Sequence, residues 1–303
     1  MAGDHGSSAK AILYAFAANF GIALTKTGAA AYTNSGSMLA EAIHSYADCV
    51  NQLLLFVGLK QADKPATHDH PLGYGKVTYF WSFVVALLLF SIGGLFSIYE
   101  GWHKLHAPEE LNKAWVALAV LAIAIVLESG SLVGALNEIR KIRRGRPFRD
   151  WLKHTRNAEL VVILGEDIAA LAGLVVAFAF VSLAAVTGDT RWDAAGSIVI
   201  GVVLIVVAFF IALRIRRLLI GTSAEPAIER SIQDCIRKDP AIAELLNTIT
   251  MQFGPQVLLA IKVRMRPDLT IEQAVEHINA LERRIKAEHP YVGWCFVEPD
   301  VTD

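Results

Sequence analysis

The stretch Glu41-Ala-Ile-His44-Ser-Tyr-Ala-Asp48-Cys-Val-Asn51 runs directly into Gln-Leu-Leu-Leu-Phe-Val-Gly-Leu, residues 52–59, a run apolar enough for a membrane helix. At about 100° per residue, Glu41, His44, Asp48 and Asn51 fall within an arc of roughly 80°. His44 and Asp48, four residues apart, stand one turn above each other. An imidazole and a carboxylate at that spacing can share one small cation. An ionisable side chain at mid-bilayer costs at least about 2.5 kcal/mol, so it is normally paired and functional. The competing reading is a polar seam that holds helices together through hydrogen bonds.

The composition agrees with a membrane setting. Of 303 residues, 54% are hydrophobic and 19% charged, with a mean hydropathy of +0.44. Soluble domains carry about 25% charged residues, so the chain reads as a membrane protein with a soluble part. The net charge of −1 gives no reason to expect nucleic acid. Cys49, Cys235 and Cys295 form no C-x-x-C pair, which argues against a disulfide framework and against a thiolate zinc site. Reduced thiols in contact with the cytosol are expected. Residues 1–8 have neither the basic region nor the cleavage site of a signal peptide, so the first span is expected to direct insertion.

Six stretches approach the roughly 20 residues needed to cross about 30 Å of hydrocarbon: 10–33, 37–60, 78–102, 113–136, 159–187 and 192–213. The first is the most polar, carrying Asn19 and Lys26; Lys26 is placed near its end, where it can reach toward the interface. The connection 137–157 holds eight Lys and Arg residues, and Arg214, Arg216 and Arg217 follow the last span. The turn 188–193 has only Arg191, and 101–113 only Lys104 and Lys113. The positive-inside rule then puts both termini in the cytoplasm.

After Gly221 the pattern becomes that of a soluble domain. An amphipathic helix is expected over 225–238. Two strands, 245–253 and 257–265, meet at Gly254-Pro255, a hairpin signal. Thr270 caps a helix over 271–288 with apolar Ala274, Ile278, Leu281 and Ile285, and 291–297 is a last short strand. The order αββαβ in about 80 residues predicts a small two-layer α+β domain. The expected organisation is a six-helix membrane domain, 1–221, and a cytoplasmic, ferredoxin-like α+β domain, 222–303. A sheet covered on one side has a second surface, which suggests a homodimer.

The fifth stretch places two further acids, Glu166 and Asp167, inside an otherwise apolar helix. They stand about 100° apart around it, flanked by the small residues Gly165, Ala169, Ala172 and Gly173, which permit close approach of a neighbour. The competing reading is a carboxylate satisfied by serines. Glu128, followed by Ser129 and Ser131, is another intramembrane acid whose facing the pattern leaves open.

With both helices in view, the chain resembles the cation diffusion facilitator family of divalent-metal/proton antiporters over nearly its full length. The resemblance is carried by His44-x-x-x-Asp48, by Asp167, by His70-Pro-Leu-Gly-Tyr-Gly-Lys76, by Asp193 opening the sixth span and by the αββαβ tail. It is most similar to the branch that contains the mitochondrial zinc transporter of animals. The resemblance implies a transport site contributed by the second and fifth spans, with His44, Asp48 and Asp167 carried over. The family's fourth ligand position is Ile163 here. Glu166 is the expected replacement, with Glu41, Asn51 or water as alternatives, and a π-bulge at Gly165 or a small helix rotation would turn Glu166 and Asp167 inward together. In the loop before the third span His70 matches, Tyr74 stands where the family has histidine, and His68 and Asp69 lie nearby, so a weak or absent metal site is expected there. In the tail, Asn247 or Leu246, Lys262, Phe296 and Glu298 occupy the family's ligand positions. Lys262 cannot bind a cation, so the family's tail site is expected to be lost.

The implied activity is export of a divalent cation, Zn2+ foremost, with Fe2+, Co2+ and Mn2+ also suited to imidazole and carboxylate, in exchange for protons. No organic cofactor and no enzymatic activity are expected; a membrane metallohydrolase would need a second polar cluster for its substrate. The alternative from a different class is a membrane metal sensor or scaffold with a decayed transport site, suggested by Ile163. The short basic loops and the missing presequence point to a bacterial inner membrane.

Overall fold

A computed structural model describes residues 5–107, 113–143 and 145–302, with side-chain environments from Phe16 onward except at 17 and 18. The reading of residues 1–4, and Arg144 and 108–112 of the loops used for orientation, fall outside the described residues. The chain divides into two compact units.

The first unit is helical and comprises residues 1–59, 80–145 and 159–215. Its helices are α1 (His5–Thr33), α2 (Gly36–Ala62), α3 (Val77–Leu88), which continues through a π-helical turn (Leu89–Leu95) into α4 (Phe96–His106), and α5 (Ala114–Ile142). Beyond a short α6 (Phe148–His154) come α7 (Ala158–Thr187) and α8 (Arg191–Ile220). Among the described residues, four helices are long and apolar enough to cross a membrane: Val77–His106, α5, α7 and α8. α1 and α2 have comparable lengths, 29 and 27 residues. α2 owes its lower hydropathy to the same Glu41, His44, Asp48 and Asn51 that drew attention to it.

Two local devices hold this unit together. Where the third span crosses α8, glycine meets glycine. A Cβ on Gly201 would lie 2.6 Å from the Gly94 carbonyl, and one on Gly94 would lie 2.5 Å from Ile205. Small residues permit this backbone approach, the source of most packing energy between membrane helices. The second device is a cap supplied from another helix. The buried Asp193 at the start of α8 accepts from Ser35 Oγ (2.7 Å), the Gly36 amide (2.5 Å) and the Ser37 amide (3.2 Å). The N-terminal amides of α2 would otherwise lack partners, and the carboxylate also complements the positive end of the helix dipole.

The second unit comprises residues 60–79, 146–158 and 216–303. Its sheet has the order β1 (Ile242–Phe253), β2 (Gln256–Met265), β3 (Val292–Pro299). β1 and β2 are antiparallel, and β2 and β3 parallel. α9 (Pro226–Arg237) and α10 (Ile271–Glu288) cover one face through Ile232, Ile236, Leu281 and Ile285, packed on Leu259, Ile261, Val263 and Val292. The result is the expected two-layer αββαβ arrangement. Thr270 forms the expected capping box with Gln273. α9, by contrast, starts at Pro226 with Glu225 as its N-cap residue and no side-chain cap. The Gly254 turn has φ +62° and lies against Gly75, where a Cβ would meet the Gly75 carbonyl at 2.5 Å. The Tyr79 hydroxyl donates to the Gly254 carbonyl at 3.2 Å. Arg146 pairs with Glu225 at 2.7 Å, and Arg156 donates to the Ser223 carbonyl at 2.8 Å. The basic connection is therefore partly ordered: α6 buries Trp151, which a run of positive charges did not foreshadow.

Candidate functional site

Three members of the stripe on α2, Glu41, His44 and Asn51, have no exposed surface, and Asp48 is half-buried. His44 Nε2 lies 3.6 Å from Asp48 Oδ2, as the four-residue spacing requires. Neither ring nitrogen of His44 has a hydrogen-bond partner among the described residues, nor does Asp48 Oδ1. The π-helical turn of the third span passes close by, and a Cβ on Gly93 would stand 3.9 Å from His44 Nδ1. A π-helical turn inserts one residue into a helix and is frequent at functional sites.

Asp48, Glu128, Glu166 and Asp167 line one cavity of about 330 Å³, together with Ser45, Ser131 and Ile163. Four acids from three helices thus face the same space inside an apolar unit. The two adjacent acids of α7 use their angular separation to meet different neighbours. Glu166 accepts from Asn51 Nδ2 on α2 at 2.6 Å. Asp167 accepts from Ser131 Oγ on α5 at 3.3 Å. The expected distortion at Gly165 does not occur. α7 is a regular helix from end to end, and Gly165 instead gives close packing to Ile211, 2.6 Å from where its Cβ would be. The π-helical turn lies one helix away, in the third span.

Glu41 is committed elsewhere. Its Oε2 lies 3.2 Å from Lys26 Nζ of α1, and Lys26 also donates to Ser45 Oγ at 2.8 Å. With 1% and 0% exposure, this is a fully desolvated ion pair. Lys26 therefore turns inward to a carboxylate and does not reach toward an interface. Its pairing with Glu41, fifteen residues away on another helix, has no local sequence signal. Ile163 lines the cavity one turn before Asp167, so the fourth position implied by the family faces the right space with an apolar side chain. No three ligand atoms from His44, Asp48, Glu166 and Asp167 fall within 4.8 Å of one another; the acids are spread around the cavity wall.

The other positions singled out from sequence are less organised. His68, Asp69 and His70 are exposed; His70 stacks on Tyr74 with ring centroids 4.5 Å apart. Asn247, Lys262 and Glu298 fall on one row of the sheet. Lys262 is paired with Asp300 at 3.1 Å, and Phe296 is exposed.

Comparison with known proteins gives the frame for this geometry. The chain is 31% identical over 255 residues to the mitochondrial proton-coupled zinc antiporter SLC30A9 of Xenopus laevis, covering 84% of this chain and 45% of that protein. It is 30% identical over 250 residues to metal tolerance protein C4 of Arabidopsis thaliana, covering 82% and 55% respectively. To the magnetosome protein MamB of Magnetospira sp. (strain QH-2) it is 24% identical over 286 residues, covering 93% and 91%. The chain spans about half the length of the antiporter and the tolerance protein that it matches. The profile of the cation efflux transmembrane domain matches residues 12–220, and the chain accordingly belongs to the cation efflux family, whose members are transporters and not enzymes.

Proposed function

We propose that this chain is a secondary transporter that moves a divalent metal cation, Zn2+ foremost, out of the cytoplasm in exchange for protons. The observation that carries the reading is the convergence of Asp48, Glu166 and Asp167 on one intramembrane cavity, with His44 one turn from Asp48 and free of hydrogen bonds. His44, Asp48 and Asp167 hold the ion, and Glu166 substitutes for the ligand that Ile163 cannot provide. Metal and protons compete for the same nitrogen and oxygen atoms, which supplies the coupling. Exposing one such site alternately to each side converts the competition into exchange. Imidazole with carboxylates also accepts Fe2+, Co2+ and Mn2+, so geometry and availability select among them.

The organisation that goes with this function is six spans within residues 1–221, both termini cytoplasmic, and a cytoplasmic domain 222–303 that supports a homodimer. The basic connection 137–157 supports the orientation. The short basic loops are the ground for a bacterial inner membrane, whereas the animal antiporter it matches is a mitochondrial protein.

Zinc flux into proteoliposomes under an imposed pH gradient tests the proposal. Wild type should transport, and Asp48→Ala should insert normally but lose flux by more than tenfold. Glu166→Gln should weaken transport and displace its pH dependence. Wild-type flux in Asp48→Ala would refute the site. A wild-type chain that moves none of the four metals would favour the sensor or scaffold, the reading that Ile163 on the cavity wall supports.

A further inference from the structure

The soluble domain contains a second cluster of metal-binding side chains, assembled from segments more than fifty residues apart. Cys235 lies in the last turn of α9, Glu288 is the last residue of α10, and His289 caps that helix. Cys235 Sγ, a Glu288 carboxylate oxygen and a His289 ring nitrogen all lie within 4.8 Å of one another. This is the one such group of three among the described residues. Cys235 is 5% exposed and His289 7%, while Glu288 reaches solvent.

The histidine is the informative member. Its Nδ1 faces the Tyr291 hydroxyl at 2.9 Å, whereas its Nε2 is buried with no hydrogen-bond partner. Leaving a buried polar atom unsatisfied costs about 1–3 kcal/mol, so native structures rarely do so without a reason. A ligand at Nε2 removes that cost. Nδ1 would then carry the proton toward the Tyr291 oxygen, the outer contact that orients metal-bound imidazoles.

Charge is compatible with a dication. The Arg284 guanidinium and the Glu288 carboxylate both lie near the Cys235 sulfur, and Arg284 pairs with Asp239 at 2.7 Å. With Cys235 as thiolate, the sulfur, Glu288 and Asp239 give three negative charges against the one positive charge of Arg284. Sulfur, nitrogen and oxygen donors together suit a borderline cation and disfavour Mg2+ and Ca2+. Three protein ligands at an exposed edge leave a fourth position to water, an open tetrahedral site.

We propose that Cys235, Glu288 and His289 form a zinc-class binding site within each cytoplasmic domain, which ties the C-terminal ends of α9 and α10 together. It is separate from the family's tail positions, where Lys262 and Phe296 stand. It departs from the expectation, drawn from the absence of C-x-x-C, that no thiolate zinc site forms: the partners of Cys235 are supplied by the fold. The ligands come from one chain, so the site does not require a dimer.

The test uses the full-length protein in detergent, stripped with chelator and titrated with Co2+, because a cobalt–thiolate bond adds a charge-transfer band that nitrogen and oxygen ligands cannot give. The band should appear in wild type and persist in Asp48→Ala, which disables the proposed transport site. Cys235→Ser should abolish it, and His289→Gln should raise the cobalt concentration needed by at least tenfold. A second measurement leaves the ligands intact: with Cys49 and Cys295 changed to serine, Zn2+ should slow alkylation of Cys235 at least tenfold and chelator should restore the rate. No band in wild type, a full band in Cys235→Ser, or alkylation indifferent to Zn2+ would overturn the proposal. Each result is independent of whether the membrane unit transports.

Discussion

Replacing Lys26 by methionine removes the cation of the buried pair on α1 and α2 while keeping the length of the side chain. At 3.2 Å, an attraction of about 5 kcal/mol follows for an effective dielectric constant near 20. Desolvating the two ions costs several kcal/mol each, so the intact pair contributes little net stability. Breaking it is a different matter. Lys26→Met leaves the Glu41 carboxylate buried beside Gly173 without its counter-ion, at a cost of roughly 3–5 kcal/mol. Glu41→Gln strands the Lys26 ammonium on Ser45 alone, with a similar loss. The double variant, Lys26→Met with Glu41→Gln, buries no charge and should return to within about 1 kcal/mol of wild type, giving a coupling energy of about 5 kcal/mol or more. Reversible unfolding in mixed micelles measures all four proteins. The same four can be assayed for zinc flux, and the double variant should retain it, since Glu41 serves Lys26 and not the ion. Additive single effects, with coupling below about 1 kcal/mol, would refute the energetic argument; flux lost only in variants lacking Glu41 would make Glu41 a ligand.

Asp193→Ala deprives the start of α2 of three charge-assisted hydrogen bonds, and should destabilise the membrane unit by about 2–4 kcal/mol, more than an ordinary cap; Asp193→Asn, which keeps one acceptor, should lose less, and unfolding in micelles ranks the two. In the second unit, burial together with the nearby Glu282 carboxylate pushes the Cys295 thiol up to about 11. Since the thiolate is the nucleophile, the Cys295 thiolate fraction at pH 8 is roughly 200-fold below that of a free cysteine. Alkylation of Cys295, followed by mass spectrometry, should therefore be slow at pH 8 and accelerate tenfold per pH unit until pH approaches 11; a rate that levels off near pH 9 would contradict the burial argument.

What could be read from the sequence depended on whether the determining contact was local. α10 was legible to the residue, because Thr270 and Gln273 form a cap between neighbours in the chain. The His44–Asp48 pair was legible because helical geometry alone fixes an i, i+4 relation. Other features depend on partners that arrive from far away. The helical period put Glu166 and Asp167 about 100° apart on α7, but it could not name Asn51 and Ser131 as their partners on two other helices. Asp193 could be recognised as the first acid of a span, but not as the cap of a helix that starts 157 residues earlier. The π-helical turn at Leu89–Leu95 contains Gly93-Gly94, yet two glycines do not distinguish a π-turn from close packing; here they accompany both. α6 was obscured because its charges dominate a segment whose anchor is one tryptophan.

The crossing of Gly94 and Gly201 bears on how such a molecule can move. Backbone atoms in contact leave no compressible layer of side chains between the third span and α8, so sliding or tilting one against the other would have to break atomic contact outright. Asp193 joins the head of α2 to the same α8. These three helices therefore share a common mechanical frame, one end of α2 being clamped to it while His44 and Asp48 lie two to three turns further along. In the proposed exchange, opening the cavity to one side and then the other would be accommodated by bending of α2 beyond its clamped end and by displacement of α5 and α7, which bring Glu128, Glu166 and Asp167 to the cavity wall. The scaffold is stiff on one flank of the acids and deformable on the other.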